Sequence, residues 1–379
     1  MGSLEIRDFT ATEESFSTSM DGEALWARIL PGDAEGYRYH LAFAQGGIEG
    51  FRTGYIVVRQ GLTAICLAPY FITDYRLDST VQGPLKRITR WIQRHLPNLL
   101  TLRLLCVGSP VTDSGKLGFL PNHRFHPEAI QKLCTELERI ATREGAVLLA
   151  FKDILERDTR QLDDPLHQAG FAKLANMPVA TNTIGFSNLD EYLASLSRST
   201  RKDLRRKYRQ YNQVSIEECD GIPTNLDEIY RLYLNCYQKS DLQFEKLTPE
   251  FFRSVAMLMP GECRFVLYRA EGKLIGFNLL LHKNGVLLDK YLGMDYHLSR
   301  QYNLYYLSWL HNLKMCLRDG FHTYQSGQAA YQAKLKLGAT LEQTYLYFRH
   351  RNRLVNLLLR LAARFFAYEN FDKSLTHER

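Results

Sequence analysis

Asn284-Gly285 separates two apolar runs, Lys273–His282 and Val286–Leu292. The two-residue turn that matches the twist of paired strands needs positive φ at both central positions, and Asn-Gly supplies it cheaply. The dipeptide therefore predicts a β-hairpin. Upstream, Cys263–Ala270 pairs with Lys273–His282 through Glu271-Gly272. Downstream, Tyr306, Leu310, Leu313 and Leu317 form one stripe of a helix, with Lys314 and Arg318 near its C-terminus and Gly320 as its stop. Phe321–Gln325 then reads as a strand ending at Ser326-Gly327. A strand–helix–strand return gives a parallel pair, so antiparallel hairpins followed by that return require a mixed α/β sheet.

The first half also alternates strands and helices. Gly54–Arg59, Leu62–Ile72, Leu100–Val107 and Ala146–Phe151 have strand length and β-rich composition. Pro127 opens a helix whose Ile130, Leu133, Leu137 and Ile140 follow helical spacing, and Gly145 closes it. Pro121–Arg124 reads as a connection and Asp153–Gln168 as a further helix. A second block begins near Gly185, where Ser187 with Asp190, or Asn188 with Glu191, gives a capping-box start. Helices follow over Thr224–Tyr237 and Pro249–Met259.

A chain of 379 residues suits two domains better than one core. The expected division is 1–185, 186–350 and a terminal basic amphipathic helix with its tail over 351–379. At 45% hydrophobic and 23% charged the composition is globular, and the net charge of +7 favours anionic partners without requiring them. The seven cysteines are irregularly spaced with no CxxC pair, which argues against a disulfide framework or zinc ribbon and for a reducing, cytoplasmic setting. The N-terminal residues lack the apolar core of a secretion signal, and no run of about 18 apolar residues is present. His123 and His126 lack a third ligand, so no metal site is expected, and no GxSxG, HExxH or P-loop occurs.

Three segments occur in order: EYLASLSRSTRKDLRRKYRQ, LLDKYLGMDYHLSRQYNLYYLSWLHNLKMCLRDGFHTYQSG and AAYQAKLKLGATLEQTYLYF. Together with GSPVTDSGKLGF upstream, they resemble GNAT-superfamily proteins of the FemABX-like, peptidoglycan-biosynthesis type. The resemblance covers roughly residues 20–350. It implies two tandem GNAT-like domains, the first degenerate, and acyl or aminoacyl transfer to an amine.

The same resemblance places the family's lysine at Lys334, where an ammonium can bind a donor phosphate or stabilise charge on the acyl oxygen. A solvated surface lysine beside Lys336 is the plainer reading. Tyr331, three residues earlier, can assist the leaving group as a general acid, or can simply pack against the sheet. Asp289 lies on Val286–Leu292, where a carboxylate facing a cleft can take the proton of an amine. Alternation predicts Asp289 and Tyr291 on one face and Lys290 on the other.

In CoA-dependent GNAT enzymes the turn into the central helix is glycine-rich, so that backbone N–H groups reach the pyrophosphate. Here Tyr296–Tyr306 contains no glycine, although Arg300 and Asn303 can still contact a phosphate. That departure favours aminoacyl-tRNA over acyl-CoA as the co-substrate, with no tightly bound cofactor.

Seven basic residues lie between Arg198 and Arg209. Arg198, Arg201 or Lys202, Arg205 and Arg209 share a helix face that can neutralise tRNA phosphates, or can face water. After Arg349, Leu354, Leu357, Leu358, Leu361 and Phe365 form a wide apolar stripe beside Arg353, Arg360 and Arg364. Such a helix can touch a membrane surface, or dock on the protein's own core or a partner. The expected function is amide formation between an activated aminoacyl or acyl group and an amine carried by a small molecule or a cell-wall or natural-product precursor. A carrier-protein thioester donor and a non-catalytic binding scaffold are the rival readings.

Overall fold

A computed structural model describes residues 9–76, 101–240 and 243–366, with side chains of the last helix described as far as residue 361. Leu100, the side chains of Arg364 and Phe365, and the tail 367–379 lie outside the described residues. The chain divides into two compact units. One comprises 1–31, 49–177 and 343–379, and the other 32–48 and 178–342.

In the first unit β1 (Phe9–Glu14) and helix α1 (Met20–Ile29) lead to β2 (Phe51–Gln60), β3 (Thr63–Arg76) and β4 (Thr101–Val107). Consecutive strands of β1 through β4 pair antiparallel. The short β5 (Gly118–Phe119) pairs β3. Helix α3 (Pro127–Glu144) then returns the chain to β6 (Leu148–Leu155), which runs parallel to β4. Pro127 sits in the first turn of α3 and Gly145 ends it at φ 68°. The expected apolar positions Ile130, Leu133, Leu137 and Ile140 are all buried against the sheet. Burying each is worth about 1.5–3 kcal/mol relative to exposure. Asp153 belongs to β6, and α4 (Glu156–Gln168) starts only at Glu156, so the helix expected from Asp153 begins three residues late. β7 (Ala172–Thr183) leaves this unit. The unit's remaining strand comes from β13 (Thr340–His350), whose residues from Thr344 onward pair antiparallel with β6.

The second unit repeats that plan. It contains α2 (Tyr37–Gln45), α5 (Leu189–Ser195), α6 (Arg198–Tyr208) and β8 (Ser215–Cys219). Next come α7 (Leu226–Lys239), α8 (Pro249–Leu258), β9 (Cys263–Ala270), β10 (Lys273–Lys283) and β11 (Val286–Met294). Strands β8 through β11 pair antiparallel in order. Glu271, Gly272, Asn284 and Gly285 all have φ between 48° and 75°, the geometry both hairpin turns require. A six-residue helix, α9 (Tyr296–Gln301), precedes α10 (Leu304–Asp319). β12 (Thr323–Gly327) then pairs parallel with β11 and antiparallel with the end of β7. α11 (Tyr331–Lys336) and then β13 follow, so the strand after the central helix is not the last one.

Four antiparallel strands, a helix, a parallel strand and an antiparallel strand thus occur in each unit. In the first unit the sixth position is filled by β13, and in the second by β7. α10 is buried more widely than its stripe predicts, because Leu304, Leu307, Trp309, Met315 and Cys316 join Leu310 and Leu313 in the core. On the opposite face of this sheet Tyr233, Phe251 and Phe252 pack edge-on around Tyr291. All seven cysteines are free thiols. Among the described residues no helix is long and apolar enough to cross a membrane.

Candidate functional site

β11 and β12 pair only through Val286–Thr323, Leu287–Tyr324 and Leu288–Gln325. Beyond that point β12 continues along β7, while β11 continues along β10. Asp289 and Ser326 are therefore the first residues past the shared ladder. A parallel pair that parts in mid-sheet leaves backbone N–H and C=O groups without strand partners, which makes the fork a natural place for a ligand.

The carboxylate of Asp289 is held there by three donors. Asn278 Nδ2 reaches Oδ1 at 2.7 Å, while Asn312 Nδ2 and the Tyr324 hydroxyl reach Oδ2 at 3.1 and 2.9 Å. Each donor comes from a different element (β10, α10 and β12), and all three side chains are fully buried. Asp289 is half-buried, and these hydrogen bonds replace the water its carboxylate loses there. Trp309 packs edge-on against Tyr324 at 5.0 Å and donates its Nε1–H to Tyr192, which fixes the phenol.

Around this carboxylate the polar groups are only partly satisfied. Asn278 Oδ1, Asn312 Oδ1 and the hydroxyls of Tyr268 and Tyr305 are buried without a hydrogen-bond partner. Buried polar atoms are nearly always paired, so four such atoms near one carboxylate leave hydrogen-bonding capacity there for water or a ligand. Burial, and then the nearby Asp289 charge, push the phenols of Tyr268 and Tyr324 well above their ordinary range, and Tyr305 is raised for the same reasons. All three stay protonated near neutral pH.

The expectation that Asp289 and Tyr291 share a face is overturned. A bulge lies between Leu279 and Leu280, where Leu279 faces Tyr291 and Leu280 faces Asp289. Lys290 is the extra residue, and one extra residue inverts the alternation beyond it. Asp289 consequently turns toward α10, and Tyr291 toward α7 and α8. Lys290 is buried in an ion pair with Glu35, from the segment just before α2.

Lys334 is 5% exposed rather than solvated. Its ammonium donates to the carbonyls of Ser326, at 2.5 Å, and Gly327, at 3.0 Å, the two β12 residues beyond the fork. Tyr331 is also buried, and its hydroxyl donates to the Pro178 carbonyl at 2.8 Å. The Tyr296–Tyr306 connection is not an open loop, because α9 occupies most of it. Asp295 caps that helix through the N–H groups of His297 and Leu298. Asn303 adopts left-handed φ at 52° ahead of α10 and donates to Gln210. Arg300 is exposed on α9. On α6, Arg198, Lys202, Arg205 and Arg209 are exposed on one stripe, while half-buried Arg201 donates to the Ala194 carbonyl at 3.2 Å. Arg205 has a distant acidic partner, Asp190 at 4.0 Å. Among the described residues no group of three or more acidic, histidine or cysteine side chains could hold a metal ion.

Asn278, Asn312, Tyr268, Tyr305 and Tyr324 were not singled out by sequence reasoning. The first two carried a signal: Asn278 is an amide inside the otherwise apolar segment Leu274–Leu281, and Asn312 follows His311 in a polar pair between Leu310 and Leu313. The tyrosines carried none among the 22 in the chain.

Residues 198–335, which include α6, the fork and Lys334, match the family model described as an acetyltransferase (GNAT) domain. GNAT domains use acyl-CoA as co-substrate. A protein of Mycobacterium tuberculosis (strain H37Rv) named putative 8-amino-7-oxononanoate synthase 2 is 26% identical over 266 residues, 68% of this chain and 34% of that protein. The chain thus spans about a third of the length of the curated relatives it matches. Among solved structures, FemX superposes with a TM-score of 0.59 at 13% identity, covering 92% of this chain and 100% of FemX. L-PGS from Bacillus licheniformis gives 0.54 at 12% identity, covering 93% and 98%. A tandem GNAT protein from the clavulanic acid biosynthesis pathway gives 0.54 at 11%, covering 91% and 99%. At these identities the structural likenesses establish the fold, and the repeated strand plan of the two units accords with it.

Proposed function

We propose that this chain, a GNAT-superfamily acyltransferase with the FemABX-like tandem fold, forms an amide by passing an activated aminoacyl group from aminoacyl-tRNA to an amine. The observation that carries the reading is Asp289, fixed at the fork by Asn278, Asn312 and Tyr324 and surrounded by unsatisfied buried acceptors. An ammonium entering there gives its N–H donors to Asn278 Oδ1 and Asn312 Oδ1 and loses one proton to Asp289. The free amine then attacks the acyl carbonyl, the ester bond to the tRNA ribose oxygen breaks, and that oxygen leaves as a hydroxyl carrying the proton the nitrogen gives up. Lys334 supplies positive charge on the β12 arm of the fork, where oxyanion charge develops. Tyr331 steadies that arm by anchoring the start of α11 to Pro178.

Two features support tRNA as donor. The exposed stripe of Arg198, Lys202, Arg205 and Arg209 puts four cations on one helix face, able to neutralise backbone phosphates. The connection before α10 is filled by a helix and has no glycine between Met294 and Tyr306, where a pyrophosphate would need close backbone approach. The FemX and L-PGS likenesses fit the same reading.

A thioester donor, acyl-CoA or a carrier protein, is the second reading. It is favoured by the acetyltransferase model match and by the exposed Arg300 beside the α10 N-terminus. Incubating the protein with an amine panel and either charged tRNA or acyl-CoA, and following loss of donor, separates the two. Thermal-shift titration with CoA adds a second readout, because a ligand that binds only the folded state raises stability with the logarithm of its concentration. Amine-dependent consumption of neither donor would remove the proposal.

A further inference from the structure

The terminal helix α12 (Arg353–Phe366) belongs to the first unit and touches it along one narrow side. Leu359 packs against the core cluster of Phe71, Leu104 and Phe348. Asn356 donates to the Gly170 carbonyl and accepts from the His350 backbone N–H. These two residues fix how the helix is rotated. The opposite side is apolar and open, with Leu354, Leu357, Leu358 and Leu361 between 54% and 75% exposed. Four large aliphatic side chains on one helix face are not a random scatter of surface leucines, and such a face marks an interaction site.

Charge indicates what covers it. Arg353 and Arg360 are exposed and lie along one edge of the leucine face. Residues 351–366 contain four arginines and no acidic residue. Two copies of this face brought together would collect arginines with nothing on either helix to neutralise them. An anionic lipid surface supplies both an apolar layer for the leucines and phosphates for the arginines. With 14 residues the helix is about 21 Å long, suited to lying in the interface and too short to cross it.

We propose that α12 is an interfacial anchor that lays the protein on a negatively charged membrane surface. The proposal is independent of the chemistry at Asp289. Flotation of the full chain with vesicles of phosphatidylcholine alone, or mixed equally with phosphatidylglycerol, tests it. Binding is expected to the mixed vesicles and to weaken as salt rises. Leu357→Glu with Leu361→Glu should lower binding at least about tenfold. Arg353→Glu with Arg360→Glu should lower it about fivefold or more per site. Because these side chains are exposed, thermal stability should stay within the spread of ordinary surface substitutions. If the leucine pair nevertheless misfolds, the arginine pair and the salt dependence of the wild-type chain decide. Absence of wild-type flotation would overturn the proposal, as would equal binding to neutral and anionic vesicles. A wild-type dimer that the leucine pair dissociates, with no vesicle binding, would assign the face to a second copy instead.

Discussion

The Tyr324 hydroxyl donates to Oδ2 of Asp289 across 2.9 Å, joining the two parallel strands one step beyond their last shared pair. Tyr324 sits in the ladder opposite Leu287, and Asp289 is the first β11 residue outside it. The bond therefore closes the base of the fork and aims the carboxylate. Burial and the Asp289 charge hold the phenol far above its usual range, so it remains a donor at every practical assay pH.

Replacing Asp289 by Asn keeps the size of the side chain and removes the base. The rate of amide formation should fall about 10²- to 10⁴-fold, the usual contribution of a positioned acid or base. The Asn278, Asn312 and Tyr324 donors then meet an amide in place of a carboxylate, so the melting temperature should be recorded beside the rate. Tyr324→Phe should instead cost about 1–3 kcal/mol of stability by leaving Asp289 and Asn312 a partner short. Its rate loss should be smaller than that of Asp289→Asn, and a reversed order would remove Asp289 from the proposed role.

Lys334→Met tests the charge on the other arm. If the ammonium stabilises an oxyanion, kcat should fall about 10²-fold with little change in KM. The substitution also strips the Ser326 and Gly327 carbonyls of a donor, costing about 1–3 kcal/mol for each group left unsatisfied. A variant that is destabilised yet turns over at the wild-type rate would show that Lys334 only braces β12.

Local rules made much of the second unit legible. Asn284-Gly285, Glu271-Gly272 and Gly320 each dictate a backbone state, and each marks a boundary that the structure shows. That the central strands of the second domain splay apart follows from the resemblance, but which residues bound the fork does not, because that depends on which strand borders β12, and that strand is β7, about 140 residues earlier in the chain. The Lys290 bulge was also missed, although the adjacent polar pair Asp289-Lys290 breaks strict alternation within Leu288–Tyr291. Lys334 has the opposite history. Resemblance pointed to it, but only packing shows an ammonium buried against two carbonyls. The excursion of residues 32–48 into the second unit left no local trace either, as Glu35 finds Lys290 only in three dimensions.

The α6 stripe yields a prediction in salt dependence. Reversing Arg198, Lys202 and Arg209 to Glu should weaken binding of charged tRNA across all tRNA sequences. Each lost phosphate contact should reduce the slope of log affinity against log salt by about 0.7–0.9. These side chains are exposed, so the fold should hold. An unchanged slope would exclude this face from nucleic-acid binding and strengthen the thioester reading.

Acid stability should respond to Glu13, in the first unit. Its carboxylate accepts from Arg143 at 2.6 and 2.7 Å and from Arg139 at 3.2 Å. The Arg143 hydrogen bonds lower its pKa from 4.5 to about 2 against the opposing effect of burial. A carboxylate lowered in the folded state contributes its full stability above the unfolded value and loses it as pH falls through the folded one. The contribution is therefore complete above pH 4.5 and lost between 4.5 and about 2. Because both arginines are largely open to water, screening limits the effect to about 1 kcal/mol. Melting curves of wild-type and Glu13→Gln should differ at pH 7 and converge below about pH 3. A gap that persists at pH 2 would mean that packing of the side chain, and not its charge, ties β1 to α3.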